Sequence, residues 1–176
     1  MNHKETRIIN TKTGEVLDKK IYPLSPVFDE EKGYLFWPRK SFAKSFLDID
    51  FPKDLSFKEI GQMTTLAKKM CPKTNMLGYR GNGGTRPYNV DKIGAVIGLK
   101  SSQSYSFVRK MIRLGMMAEV KIRSEGSVET QYYINPIYFF SGNRISLNLY
   151  LIFHRQLDVH LPEWVKYRFA EEAGKA

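Results

Sequence analysis

The sequence predicts an α+β fold in which three helices are followed by a β-hairpin. Apolar residues recur with helical spacing in segments 54–70, 89–98 and 101–114. Two β-rich runs separated by turn-forming residues follow between positions 118 and 134. This element order is that of a winged helix-turn-helix. The expected domains are a β-rich extension, the winged helix-turn-helix core and a C-terminal helical segment: residues 1–53, 54–140 and 141–176.

The first helix of the core is predicted over 54–70. Ser56 and Glu59 have the spacing of a capping box, in which each side chain accepts a hydrogen bond from the other's backbone N–H. Behind the cap, apolar residues recur at intervals of three and four and predict one buried face. The residues of that face are Phe57, Ile60, Met63, Leu66, Ala67 and Met70.

The second helix begins after Asn89, whose side chain can cap it, and ends at Gly98, which suits a left-handed C′ position. Gly94 and Ala95 are small enough to let another helix approach closely. The apolar face of this helix is predicted to consist of Val90, Ile93, Val96 and Ile97.

The third helix follows directly, with Ser101 or Ser102 as the predicted N-cap. Its core face is predicted to contain Tyr105, Val108, Met111, Ile112 and Leu114. The opposite face is polar and is the candidate to enter the major groove of DNA. A solvated face with no ligand is the alternative interpretation.

The polar face of this helix supplies two kinds of candidate contact. Ser101, Ser102, Gln103 and Ser106 stand in the N-terminal half, where side chains of a recognition helix meet base edges. Three basic residues further along are expected to contact phosphates, which fixes the register of binding without selecting a sequence. They are Arg109, Lys110 and Arg113.

The β-hairpin is predicted from strands at 118–123 and 128–134. We expect Val120 and Ile122 to face Tyr132 and Ile134 across the hairpin. On the opposite face of the first strand, two basic residues can reach a phosphate or a minor groove, although Glu125 and Glu129 dilute their charge. These two residues are Lys121 and Arg123.

The segment 71–88 is rich in glycine and is predicted to be a long loop. Arg80 and Arg86 are candidates for contacts with a nucleic-acid backbone, and Tyr79 and Tyr88 for stacking on a base. A flexible connector is the alternative. The loop lacks the Gly-Lys-Ser/Thr ending of a phosphate-binding P-loop, so nucleotide hydrolysis is not expected.

The flanking segments predict a hairpin over 7–22, a strand at 34–37 and two helices at 146–157 and 161–169. The wide apolar face of the first C-terminal helix must be buried, either against the N-terminal sheet or against a second copy of the chain in a homodimer. The aromatic cluster near Trp37 is expected to anchor the sheet, with stacking on a single strand as the alternative. It consists of Phe36, Trp37, Phe42 and Phe46.

Composition limits the classes of function. The chain has 176 residues and a formal net charge of +10 at pH 7, which favours an anionic partner such as nucleic acid. No apolar run approaches the ~20 residues of a membrane-spanning helix, so a membrane partner is not expected. The N-terminus lacks the apolar core of a signal peptide and Cys71 is the single cysteine, which together predict a cytoplasmic protein.

Motifs for catalysis or metal binding are not found in the sequence. The three histidines are too scattered for a tetrahedral metal site: His3, His154 and His160. No nucleophile elbow, zinc-protease motif or paired-acid motif is present. We therefore expect a protein that is not an enzyme and needs no metal or cofactor.

Three segments of the chain together resemble the RepL-type replication proteins of Firmicute plasmids and their phage relatives. They are NTKTGEV at 10–16, the winged helix-turn-helix core, and YYINPIYFFSGNRIS at 132–146. The resemblance implies a protein that binds double-stranded origin DNA and recruits host replication proteins, and it supplies no catalytic residue. A winged-helix transcriptional regulator fits the core equally well. A winged-helix protein-interaction module is a third alternative, which the net charge disfavours.

Overall fold

The chain is α+β, with five helices and four two-stranded antiparallel sheets among the residues that the structure describes. The structure is a computed structural model that describes residues 3–23, 28–29, 33–34, 43–46, 48–124 and 126–174. It forms two compact units, Met1–Arg39 and Lys40–Ala176. Within its described ranges no helix is long and apolar enough to cross a bilayer.

The first unit contains the predicted N-terminal hairpin, which is confirmed. Strands β1 (His3–Ile9) and β2 (Val16–Pro23) pair antiparallel. Their turn is closed by the Asn10 side chain, which accepts a hydrogen bond from the Lys12 N–H at 3.0 Å. A second pair joins β3 (Phe28–Asp29) and β4 (Gly33–Tyr34). The rest of the strand predicted at 34–37, and the aromatic cluster except Phe46, lie outside the described residues.

The three core helices are α1 (Phe57–Ala67), α2 (Val90–Val96) and α3 (Ser101–Arg113). The capping box of α1 is confirmed, since the Ser56 N–H donates to Glu59 Oε2 at 2.9 Å and the Glu59 N–H donates to Ser56 Oγ at 3.3 Å. The prediction that Phe57 is buried was wrong, because it is the first helical residue and points away from the core, 94% exposed. The centre of the core is formed by Met63, Leu66, Leu77, Ile93, Met111, Met116 and Ile134.

The turn between α2 and α3 agrees with the sequence prediction. Gly98 has φ +70°, and the Leu99 N–H donates to the carbonyl of Gly94 at 2.9 Å, which closes the end of α2. Gly94 also permits the contact between the helices, because a Cβ there would lie 1.7 Å from Ser104 Oγ. Ala95, the other small residue, is exposed.

Residues 71–88 do not form a featureless loop, so that prediction was wrong. Strands β5 (Gly78–Gly81) and β6 (Gly84–Pro87) pair in a hairpin around Asn82-Gly83, where Gly83 has φ +102°. Just before it, the chain runs beside the last strand of the core. The Leu77 N–H donates to the carbonyl of Tyr132 at 2.8 Å, and the Ile134 N–H donates to the carbonyl of Asn75 at 3.0 Å.

The C-terminal hairpin of the core consists of β7 (Met117–Ser124) and β8 (Ser127–Ile134). Its existence is confirmed, but the predicted facing of Val120 and Ile122 against Tyr132 and Ile134 was wrong. Val120 pairs with Gln131 and Ile122 with Glu129. The face of β7 that meets Tyr132 and Ile134 is one residue out of phase with the prediction. It pairs buried Met117 with Ile134, and Glu119, which is exposed, with Tyr132.

Two further helices complete the second unit: α4 (Leu147–Leu157) and α5 (Glu163–Ala173). Between β8 and α4, residues 136–138 form a turn. The apolar face of α4 packs inside the same unit against Ile137 and Phe140. The face for which the sequence required a covering surface is therefore buried within this unit. The buried residues of α4 are Leu149, Tyr150, Phe153 and Leu157.

Candidate nucleic-acid interface

The outer surface of α3 is polar and basic. Ser102, Ser106, Arg109 and Arg113 recur at intervals of three and four, and all are exposed. The opposite side of the helix is buried through Ser104, Phe107, Val108 and Met111. In the described part of the chain, no carboxylate lies within ion-pair distance of Arg109 or Arg113. Both guanidinium groups are therefore available to an anion.

Lys110 lies on the side of α3 that faces α1, and its charge is already compensated. Its Nζ lies 2.7 Å from Glu59 Oε1 and 2.8 Å from Glu59 Oε2. Burial by itself raises the pKa of Glu59, but the hydrogen bonds from Lys110 and Ser56 outweigh it and hold that pKa below its ordinary value. Lys110 thus ties α3 to the capped start of α1, a role that the sequence prediction of a phosphate contact did not include.

The first turn of α3 differs from the prediction. The N-cap is Lys100, not Ser101 or Ser102, and the Gln103 side chain accepts a hydrogen bond from the Lys100 N–H at 3.3 Å. The Ser101 hydroxyl donates to Asp91 Oδ1 at 2.7 Å and so links α3 to α2. Gln103 keeps its amide N–H groups for another partner, but its carbonyl oxygen is engaged.

Tyr105 is an exposed residue of α3. It was predicted to be a core residue, which was wrong, because 47% of its surface is exposed. Burial raises the pKa of Tyr132 to about 12, and Glu119 and Tyr105 add to the effect. Tyr132 is a buried residue of β8, and α3 packs against β7, the strand that pairs with β8.

Lys121 and Arg123 are exposed near the tip of the hairpin. In an antiparallel pair, side chains of directly paired residues and of every second residue share one face. Lys121 and Arg123 therefore share a face with Glu119 and Tyr132. Lys121 Nζ lies 3.3 Å from Glu119 Oε1, whereas Arg123 has no ion-pair partner among the described residues.

Arg80 and Arg86 lie on the β5–β6 hairpin, and both are exposed. Arg86 pairs with Tyr79 and Arg80 with Thr85, so the two arginines emerge from opposite faces of the hairpin. The structure therefore divides the predicted DNA-binding residues into one group on α3 and the β7–β8 hairpin and a second group on the β5–β6 hairpin.

Groups with metal-binding or nucleophilic chemistry are sparse. Across the described ranges, no cluster of three His, Cys, Asp or Glu side chains has a geometry that could hold a metal ion. Burial raises the pKa of the Cys71 thiol, which opposes formation of a reactive thiolate.

Comparison with known proteins gave no match to a family model, to a curated protein or to a solved structure. The fold and the arrangement of these side chains are therefore the basis for a functional assignment.

Sequence reasoning missed Tyr105 as a surface residue and the pairing of Lys110 with Glu59. Tyr105 has the spacing of the core face, but the wholly apolar neighbour Phe107 takes the buried position. The Lys110 contact joins residues 51 positions apart, and periodicity carries no information on such a separation.

Proposed function

We propose that residues 54–140 form a winged helix-turn-helix that binds double-stranded DNA. The observation that carries the proposal is that α3 packs against β7 of the neighbouring hairpin, and that both elements present exposed basic residues. The strand register assigns Lys121 and Arg123 to the face of Tyr132, a residue whose pKa Tyr105 of α3 helps to raise. A helix and an adjacent hairpin that both present cations match the way in which such domains contact a groove and the flanking backbone.

In this proposal, α3 enters the major groove with its N-terminal half. Ser102, Gln103 and Ser106 meet base edges, where the Gln103 amide N–H groups remain able to donate. Arg109 and Arg113 follow along the same helix and contact phosphates. The β7–β8 hairpin acts as the wing, and Arg123 near its tip reaches the neighbouring backbone or minor groove.

We further propose that the protein initiates replication of a plasmid or phage, acts in the cytoplasm, and is not an enzyme. The support is the resemblance of segments 10–16 and 132–146 to RepL-type proteins. In the structure, the second segment anchors the wing to α3. Asn135 Nδ2 donates to the carbonyl of Gly115 at 2.7 Å, at the end of α3, and Asn135 itself directly follows β8. Host replication proteins would be its partners in that role.

Measuring DNA affinity as a function of salt tests the duplex contact. Each phosphate contact contributes about one unit to the slope of log K against log salt. Arg109→Ala and Arg113→Ala should each lower that slope by about one. Arg168→Ala, on α5, is the matched control and should leave it unchanged. Unchanged slopes for both α3 variants would remove the basis of the proposal.

Footprinting on the genetic element that encodes the protein separates initiation from regulation. Protection of repeats inside an origin supports an initiator, and protection over a promoter supports a transcriptional regulator. Absence of duplex binding at low salt would instead favour a winged-helix module that binds proteins.

A further inference from the structure

The β5–β6 hairpin carries an aromatic side chain that the core does not need. Tyr79 is 45% exposed, and its ring stacks on Tyr88 with 5.9 Å between the ring centroids and an interplanar angle of 28°. Tyr88 is buried in the core and is followed directly by the cap of α2. The exposed ring is thus held in a fixed orientation by a buried partner.

Glycine keeps the surface beside this ring open. Gly81 shares the hairpin face of Tyr79 and Arg86. A Cβ on Gly81 would lie 3.6 Å from Tyr79 Cε2 and 3.7 Å from Arg86 Nε, so the ring and the guanidinium group both lie over this glycine. An aromatic ring and a guanidinium group are thereby placed side by side on one exposed face.

Clefts on both sides of Tyr79 are basic. The cleft between the hairpin and the end of α1 has a volume of about 570 Å³ and is lined by Lys68, Lys69 and Arg80 together with Tyr79. On the other side, Tyr79 and Tyr88 line a shallow depression with Asn89 and Lys92 at the start of α2. Neither lining includes an Asp or Glu among the described residues.

We propose that the β5–β6 hairpin is a second DNA site, which binds single-stranded DNA. An unpaired base stacks on Tyr79, and the backbone on either side of it contacts cationic side chains. Exposed aromatic rings within a basic groove are the features with which proteins hold single strands. The cations are Lys68, Lys69, Arg80, Arg86 and Lys92.

Stacking favours a single strand over a duplex as the occupant. Bases inside a duplex already stack on their neighbours, and only an unpaired base offers a free face to Tyr79. The proposed single-strand site shares no residue with the proposed duplex surface, because none of its residues lies in α3, β7 or β8. For a protein that initiates replication, it would hold DNA that has been opened beside the bound duplex.

The test measures binding of a labelled twelve-residue oligothymidylate, which cannot form a duplex, by fluorescence anisotropy of the full chain. We expect Tyr79→Ala to weaken binding by about tenfold, and Tyr79→Phe to retain affinity because the ring remains. Tyr167→Ala removes an exposed tyrosine of α5 and is the matched control, which should have no effect. The double variant Arg80→Gln, Arg86→Gln should lower the salt slope by about 1.4, since each single-strand phosphate contact contributes about 0.7.

Binding of a random-sequence duplex is measured in parallel. Tyr79→Ala should leave duplex affinity unchanged, while Arg109→Ala and Arg113→Ala should weaken duplex binding and leave oligothymidylate binding unchanged. The proposal is overturned if the wild-type protein does not bind oligothymidylate, or if Tyr79→Ala matches Tyr167→Ala. The proposal is also overturned if Tyr79→Ala weakens the binding of oligothymidylate and of the duplex equally. Failure of the proposed duplex site would be seen separately, as unchanged duplex affinity of Arg109→Ala and Arg113→Ala.

Discussion

Gly94 sets the distance between α2 and α3, because any side chain there would collide with Ser104. We expect Gly94→Ala to lower the free energy of unfolding by at least about 2 kcal/mol, since the new methyl group overpacks a buried helix contact. Gly61→Ala is the control, because no atom lies within 4 Å of a Cβ at that helical position. It should stabilise the protein by about 0.5 to 1 kcal/mol. Urea denaturation measures the free energy of unfolding of both variants. Equal changes in Gly94→Ala and Gly61→Ala would contradict the close contact at Gly94.

The ion pair between Glu59 and Lys110 makes stability depend on pH. The pKa of Glu59 is lowered in the folded protein, so the pair stabilises the fold above the unfolded-state pKa of about 4.3 and the effect disappears as the pH falls through the folded-state value. Glu59→Gln should therefore cost about 1 kcal/mol at pH 7 and almost nothing at strongly acidic pH.

Urea denaturation of the wild type and Glu59→Gln at pH 7 and at acidic pH measures this difference. Glu172→Gln, an exposed carboxylate on α5, is the control and should change stability by less than about 0.5 kcal/mol at either pH. A cost for Glu59→Gln that is the same at both pH values would show that the charge of Glu59 is not the cause.

The elements could mostly be predicted from sequence where periodicity or a cap marks them. Capping residues correctly placed the start of α1 at Ser56 and of α2 at Asn89, and apolar spacing correctly predicted α4 within 146–157. The β5–β6 hairpin was missed because its strands, GYRG and GTRP, show no alternation of apolar and polar residues. The Asn82-Gly83 pair in its turn was the available signal. The error in the β7–β8 pairing arose because a one-residue shift exchanges the two faces, and the sequence contains apolar residues on both.

Asn75 joins the segment before β5 to β8 and to residues 139–141, and it could not be identified from the sequence. It is fully buried with φ +57°, and its Nδ2 donates to the carbonyls of Ile134 at 2.9 Å and Phe139 at 2.6 Å. Its Oδ1 accepts hydrogen bonds from the N–H and hydroxyl of Ser141, both at 3.0 Å. These partners lie more than 50 residues away in the chain, beyond the reach of local patterns.

We expect Asn75→Ala to lower the free energy of unfolding by about 3 kcal/mol, because it leaves buried polar groups unpaired and places alanine at a positive φ. Asn148→Ala, at an exposed position of α4, should change it by no more than about 0.5 kcal/mol. Thermal or urea unfolding compares the two variants. A small effect of Asn75→Ala would mean that water or neighbouring groups replace its hydrogen bonds.

At the scale of the whole molecule, the predicted α+β class is confirmed, while assembly and biological role stay predictions. The homodimer was inferred from the apolar face of α4, and that face is covered within its own unit. The remaining exposed aromatic residues of the C-terminal helices are Trp164 and Tyr167 on α5, 70% and 66% exposed. Light scattering of the purified protein, with and without DNA, determines whether a second copy binds.

The central claim is that one side of the second unit, formed by α3 and the β7–β8 hairpin, contacts a DNA duplex. A titration of the ¹⁵N-labelled protein with a short random-sequence duplex, followed by backbone amide chemical shifts, tests it most directly. We predict that the largest shifts fall in 101–113 and around Lys121 and Arg123, and that α5 is unaffected. Shifts concentrated in α5, or a spectrum that the duplex leaves unchanged at low salt, would contradict the claim.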